Sequence, residues 1–259
     1  MNLNFNLSLA EGYKSNSQIA RVLTEGWVEE NAYCPNCGNA SIKKFKNNKP
    51  ISDFFCPSCG RIFELKSKST KIKNIINDGA YSKMIEQINN KSNPDFLFLA
   101  YSKERYIVNN FFVVPKHFFT PKIIIKRKPL SRNAQRAGWV GCNINIGAIP
   151  LYGRIFIIKN QLPLKPKDVI NQFNKTKFLD DNTINNRGWI IDVMNCVDRI
   201  SQTEFTLADV YKFEKELKLL YPNNHNIKAK IRQQLQLLRD ANIIEFLGNG
   251  KYRKILNNK

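Results

Sequence analysis

The chain has 259 residues, 42% of them hydrophobic and 11% aromatic, enough to bury one large core or two smaller ones. It is strongly basic, with 41 Lys and Arg against 21 Asp and Glu and a formal net charge of +20, so a polyanion is the expected partner and nucleic acid the first choice. No run of about eighteen apolar residues occurs, which excludes a membrane-spanning helix, and the first residues do not read as a secretion signal. Both parts of the chain are basic: residues 1–183 carry a balance of +15 and residues 184–259 one of +5. A lysine-, asparagine- and isoleucine-rich composition accounts for part of this.

In chain order, Ser15 or Asn16 followed by Ile19, Val22, Leu23 and Trp27 on one face predicts a helix running to about Glu30. Two knuckles follow, Cys34-Pro-Asn-Cys37-Gly38 and Cys56-Pro-Ser-Cys59-Gly60, with eighteen residues between the pairs. C-x-x-C repeated at this distance is the spacing of a four-cysteine zinc site, and the glycine after each pair permits a tight turn. Two disulfides or unligated core thiols are the alternatives. Four thiolates leave no open coordination position, so Zn²⁺ here would be structural.

Threaded through the knuckles are Asp53, then Glu64 and Lys66. Residues 51–55 and 61–66 read as strands rich in Ile and Phe. Glu64 and Lys66 are two apart and share a strand face, with Leu65 on the other. Paired as a hairpin, the strands bring Asp53 beside Glu64. Two close carboxylates suit Mg²⁺, a hard cation that takes oxygen ligands. A lysine beside it can orient a water for phosphodiester hydrolysis. The same pattern taken alone also describes surface charges on a basic hairpin.

A lysine-rich link at 67–73 precedes a helix from about Gly79 to Asn89, with Tyr81, Met84, Ile85 and Ile88 at helical spacing. Strands are expected at 96–101, 106–114 and 154–158, a mixed α/β order that suits a central sheet flanked by helices. Residues 121–142 carry Lys122, Lys126, Arg127, Lys128, Arg132 and Arg136, with Trp139 just beyond. This composition fits a loop facing DNA and equally a solvated basic face with a buried Trp. Pro163, Pro166 and Asp180-Asp181 mark a linker with one short helix near 169–173, and the domain boundary is placed near residue 183. Cys142 and Cys196 sit among apolar neighbours and read as core residues. Six cysteines, four in zinc spacing, fit a reducing, cytoplasmic compartment.

Beyond the boundary, residues 188–200 read as a helix. Thr206 is a candidate N-cap, with Asp209 completing a capping box for a helix to about Leu220. A third helix at 226–240 buries Ile227, Ile231, Leu235 and Leu238. Residues 243–247 and 252–256, joined by Gly248-Asn249-Gly250, make a hairpin. Three helices and a glycine-turn hairpin make a winged helix, whose third helix enters the major groove while the hairpin reaches phosphates. Lys228, Arg232, Gln233 and Gln236 lie off the apolar stripe and are candidates for DNA contact, as are Lys251, Arg253 and Lys254 of the wing. Winged helices also mediate protein contacts.

At Asp53, Glu64 and Lys66 the chain resembles the PD-(D/E)xK nuclease superfamily, with Ser52 where the motif name has proline. A longer resemblance, running nearly end to end, is to the DpnI-type methyl-directed (type IIM) restriction endonucleases. It is carried by residues 13–18, the knuckle Tyr33–Gly38, residues 76–81, Arg136-Ala-Gly-Trp139-Val-Gly-Cys142, residues 153–156, Ile231-Arg-Gln-Gln-Leu-Gln236 and Gly250-Lys-Tyr-Arg-Lys254. The resemblance implies an α/β PD-(D/E)xK core with an inserted four-cysteine zinc site over residues 1–183, and a winged-helix DNA-binding domain over 184–259. It implies a type II enzyme that cuts double-stranded DNA at GATC sites containing N6-methyladenine. Catalytic Mg²⁺ would be held by Asp53, Glu64 and the Leu65 carbonyl, with Lys66 on the water, and structural zinc by Cys34, Cys37, Cys56 and Cys59. Trp139, beside Arg136 in the basic loop, is the candidate methyl reader of the nuclease domain. The oligomeric state is open, and a monomer suffices for this reading. A non-catalytic zinc-ribbon and winged-helix regulator is the rival; a repair nuclease of the same fold is a third reading. Asp53, Glu64 and Lys66 discriminate against the regulator, because acids repel phosphate.

Overall fold

One strand without a polar face sets the architecture around the candidate site. Every residue from Asp95 through Tyr101 is buried, so the sheet at this point must be covered on both sides. The structure, a computed structural model, describes residues 1–45 and 52–255. It divides into two units, 1–147 with 154–174 and 148–153 with 175–259.

The first unit runs through α1 (Asn16–Asn31), β1 (Lys43–Lys44), β2 (Phe54–Phe55), β3 (Ile62–Lys68), β4 (Ile75–Ala80), α2 (Tyr81–Asn89), β5 (Asp95–Ser102), β6 (Ile107–Val114), β7 (Ile124–Lys126), β8 (Gly141–Asn145), β9 (Ile155–Lys159), β10 (Leu162–Pro163) and α3 (Pro166–Lys175). A seven-stranded sheet has the order β1-β2-β3-β5-β6-β9-β10, and β4, β8 and β7 form a separate sheet. β3 and β5 are parallel, with Glu64 opposite Phe96 and Lys66 opposite Phe98. Parallel neighbours need a crossover, which β4 and α2 supply. On one face, Leu23, Trp27 and Val28 of α1 join Phe63, Leu97, Leu99, Phe111 and Val113 in one core cluster. Alternation along the strands sends Phe96, Phe98 and Phe112 to the other face, where Phe98 and Phe112 stack with centroids 5.0 Å apart. This is the mixed α/β arrangement the sequence predicts. Two details differ from expectation. Residues 75–80 form a strand, and the basic segment after Pro121 contains β7 and β8. Both depend on pairing with each other rather than on local pattern. No helix among the described residues is long and apolar enough to cross a membrane.

The two knuckles turn as their sequence requires. Gly38 N donates to Cys34 O at 2.9 Å and Gly60 N to Cys56 O at 3.0 Å, with φ of 79° and 71° at the two glycines. The four Sγ atoms lie within 4.8 Å of one another, with Cys34 to Cys59 at 3.7 Å and Cys37 to Cys56 at 3.6 Å. Four zinc–sulfur bonds of about 2.3 Å set sulfurs about 3.8 Å apart, whereas a disulfide holds them at about 2.05 Å. The spacing therefore fits one tetrahedral ion and excludes disulfides. The second knuckle runs directly into β3, where Arg61 is ion-paired to buried Asp95 at 3.0 Å. Ile51, in the strand expected before Asp53, lies outside the described residues.

The second unit contains α4 (Ile184–Arg199), β11 (Glu204–Thr206), α5 (Leu207–Tyr211), α6 (Glu214–Leu220), α7 (Ile227–Asp240), β12 (Ile244–Gly248) and β13 (Lys251–Lys254). The capping box of Thr206 and Asp209 is present, and Ile227, Ile231, Leu235 and Leu238 are buried as expected. The single helix expected from 206 to 220 is instead two. A tight turn, closed by Phe213 N donating to Val210 O at 3.1 Å, separates them and lets Val210 and Leu217 both reach the core. The wing turns through Gly248, Asn249 and Gly250, all with positive φ. β11 adds a third strand in the order β11-β13-β12. Leu256, in the hairpin expected from sequence, lies outside the described residues. Cys142 and Cys196 are buried, as their apolar surroundings predict.

Zinc binding by the four cysteines is testable by removing one of them. Cys56→Ser should hold less than one zinc per chain by elemental analysis and melt at a lower temperature, because ligation contributes folding free energy to the hairpin. One zinc per chain and an unchanged Tm would contradict it.

Candidate active site and nucleic-acid interface

The β2–β3 hairpin pairs Phe54 with Phe63, so Asp53 falls opposite Glu64. Asp53 N donates to Phe63 O at 2.9 Å. Its Oδ2 accepts from Leu65 N at 2.7 Å, which fixes the carboxylate against β3. Glu64 and Lys66 share a face, and Lys66 Nζ donates to Glu64 Oε1 at 2.5 Å. The structure thus gathers the three residues singled out from the sequence. It adds a fourth: Asp78 of β4 accepts a second short hydrogen bond from Lys66 Nζ. Sequence reasoning missed it because β4 was not recognised as a strand. The one available signal is an acid two residues after the apolar pair Ile75-Ile76, beyond Asn77.

Three carboxylates around one lysine leave the cluster short of positive charge. Burial raises the pKa of Asp53, against the Leu65 N–H that favours its ionised form, and Glu25 of α1 raises it further. Burial likewise pushes Glu64 up to about 7; Lys66 pulls it down, and Asp78 and Asp53 add to the rise. Burial works against the Lys66 ammonium, but Glu64 and Asp78 together outweigh it and raise its pKa. Glu25 is itself already matched by Arg21 at 2.7 Å and Lys44 at 2.6 Å. Asp53 and Glu64 offer the hard oxygen donors that Mg²⁺ takes, and a cation there would relieve the excess negative charge.

The candidate DNA-reading residues are distributed unevenly. Lys228, Arg232, Gln233 and Gln236 are all exposed on α7. Arg232 donates to Tyr211 Oη at 2.7 Å, Lys228 lies 3.5 Å from Glu214, and Gln233 accepts from Lys230 at 2.8 Å. The wing is less basic in effect than its sequence. Arg253 is gripped by Glu204 at 2.7 Å and Glu245 at 3.2 Å, and Lys254 Nζ donates to Ile200 O. That leaves Lys251, exposed at the start of β13, as the wing cation best placed for phosphate.

In the first unit, Trp139 is half-buried in the segment joining β7 to β8, so the alternative of a fully buried core Trp does not hold. Arg136 covers its ring at 4.8 Å from the centroid, and Trp139 O accepts from Leu130 N at 2.9 Å. The far edge of the ring lies over Gly141, where a Cβ would come within 2.8 Å of two ring atoms. Glycine is therefore what lets the indole lie against β8. Gly141→Ala should destabilise the protein by about 1–3 kcal/mol through overpacking. Most of that loss should disappear when Trp139→Ala is added, as read by urea denaturation of the three variants. Equal losses with and without the indole would refute the contact.

The sequence matches the model of the Dam-replacing family over residues 1–182 and that of the Dam-replacing HTH domain over residues 185–254. The first match spans the cysteine cluster, the Asp53–Glu64–Lys66 hairpin and the Trp139 segment. The second spans α4 through β13, the helices and wing of the DNA-binding module. On these two matches, which together cover nearly all of the described residues, the chain belongs to the Dam-replacing family of DpnI, the methyl-directed restriction endonucleases.

Proposed function

We propose that this enzyme cuts double-stranded DNA at GATC sites whose adenine carries an N6-methyl group, by Mg²⁺-dependent hydrolysis of the phosphodiester. The observation that carries the reading is the hairpin that brings Asp53, Glu64 and Lys66 together in a chain of this family. A DNA-binding regulator would gain nothing from paired acids that repel phosphate. Asp53 and Glu64, with the Leu65 carbonyl as a further ligand, would hold Mg²⁺, which would supply charge stabilisation and an acidified water. Asp53, fastened by the Leu65 N–H, keeps one carboxylate in place before any cation arrives. Glu64 must shed its proton to act as a ligand. Lys66, beside Glu64, donates a hydrogen bond that orients the attacking water. Cys34, Cys37, Cys56 and Cys59 hold a structural Zn²⁺ that fixes the hairpin.

The energetics of one methyl group bear on how the site is read. Burying a methyl contributes roughly 0.8 kcal/mol, and even a well-shaped pocket discriminates by only about 1–3 kcal/mol per methyl-sized group. GATC is palindromic, so a fully methylated site offers two methyls. Reading by both domains would multiply their preferences. Trp139, half-buried under Arg136, is the reader assigned to the nuclease domain, and the exposed face of α7, with Arg232, Gln233 and Gln236, the reader in the winged helix.

The decisive experiment digests adenine-methylated and unmethylated plasmid, each with Mg²⁺ and with EDTA. Cutting is expected only of methylated DNA with Mg²⁺, and Asp53→Ala should abolish it while sparing DNA binding. Cleavage that ignores methylation, or that survives EDTA, would overturn the proposal. Trp139→Ala should fold but lose much of its preference for methylated sites; an unchanged methylated-to-unmethylated ratio would put the reader elsewhere. The pH dependence follows from Glu64. Its carboxyl is protonated below about 7, and a protonated carboxyl cannot serve as a ligand. At limiting Mg²⁺, cleavage should therefore rise about tenfold per unit as pH increases towards 7 and then level off. Saturating Mg²⁺ should move the rise to lower pH, because the ion displaces the proton. A rate independent of pH from 5 to 8 at limiting Mg²⁺ would remove Glu64 from the metal.

A further inference from the structure

We infer that Asp78 is a positioning residue that keeps Lys66 in the active site once a divalent cation has engaged Glu64. The inference rests on the nuclease reading above and deepens it. Lys66 Nζ lies between two carboxylates, Glu64 Oε1 at 2.5 Å and Asp78 Oδ1, which it meets in a second short ion pair. A cation on Glu64 withdraws that carboxylate's charge from the lysine, and like charge then repels the ammonium. The Lys66 side chain retains 18% exposure, so a path towards solvent is open to it. A second anion on the side away from the metal is what can hold it.

Asp78 has the properties that task requires. Its side chain is 4% exposed, so its attraction for the lysine is little screened. Its backbone is paired with Cys142 on β8, and a bulge between Asp78 and Ala80 shifts the register at this point. Such bulges re-aim side chains beside active sites. Asp78 does not converge with Asp53 and Glu64 on one ion. Among the described residues, the four cysteines are the only group of three or more metal-capable side chains within 4.8 Å of one another. Asp78 therefore acts on the metal site through Lys66.

The test is a double-mutant cycle read by Mn²⁺ binding, with electron paramagnetic resonance on zinc-loaded, full-length protein. Asp78→Asn keeps the shape of the side chain and removes its charge. Freed from Asp78, Lys66 falls wholly on Glu64 and competes with the metal. Asp78→Asn should therefore weaken Mn²⁺ about fivefold or more in the Lys66 protein and less than about twofold in Lys66→Met protein. Equal losses in both backgrounds would make Asp78 a ligand or a structural residue, and no loss in either would leave it without a role; each result overturns the inference. Single-turnover cleavage by Asp78→Asn should fall by about 10- to 100-fold, the cost of a misplaced catalytic group, and a wild-type rate likewise rejects it. If Asp78→Asn does not fold, Asp78→Ser is held to the same criteria. Failure of the wild-type protein to cut methylated DNA would instead refute the nuclease reading, and the Mn²⁺ coupling would still be measured.

Discussion

The candidate active site depends on a hairpin too short to stand alone. β2 and β3 pair at only two positions, Phe54 with Phe63 and Phe55 with Ile62, and isolated two-stranded pairs are marginal even at greater length. Three constraints hold this one. The cysteine cluster joins its turn to the first knuckle. Arg61, just past the second knuckle, is tied to Asp95. β5 then pairs with β3 from Phe63 to Lys68. Asp53 stands three residues before Cys56, so an ion closing the cluster would also fix a carboxylate of the candidate site. On the reading proposed here, structural zinc and catalysis are linked through these few residues rather than through the fold at large.

The charge distribution has two scales with opposite signs. The chain as a whole is basic, which draws in a polyanion and accelerates encounter. At the hairpin, half-buried Asp53 and Glu64 and the buried Asp78 carboxylate outnumber Lys66, which favours a cation over a phosphate. Neither feature alone specifies a nuclease. Together they fit the reading proposed here, in which a basic chain attracts DNA and an acidic centre takes up a metal before a phosphate approaches it.

What was legible in the sequence was local. The knuckles, the Glu64-x-Lys66 alternation, the Thr206 capping box and the apolar stripe of α7 each lie within a few residues, so spacing alone reveals them. What was hidden depends on pairing across the chain. Asp78 meets Lys66 because β4 pairs with β8, more than sixty residues away. The same long-range pairing turns a basic segment into β7 and β8. Arg253 reads as a DNA contact until β11 and β12 bring Glu204 and Glu245 to it. Residue type marks a side chain as able to do chemistry, but its tertiary partner decides whether the charge is already matched.

The small β4-β8-β7 sheet joins two candidate sites that the sequence presents separately. Trp139 lies against Gly141 at the start of β8; Cys142, the next residue, is the register partner of Asp78; Asp78 grips Lys66. On the reading proposed here, a methyl reader and the aim of a catalytic lysine share one small sheet. One methyl group offers too little binding free energy to forbid cutting of unmethylated DNA by affinity alone. Alignment is more sensitive: an ångström of displacement in a catalytic group can cost about a hundredfold in rate. A base that seats poorly against Trp139 would therefore be penalised in rate as well as in binding.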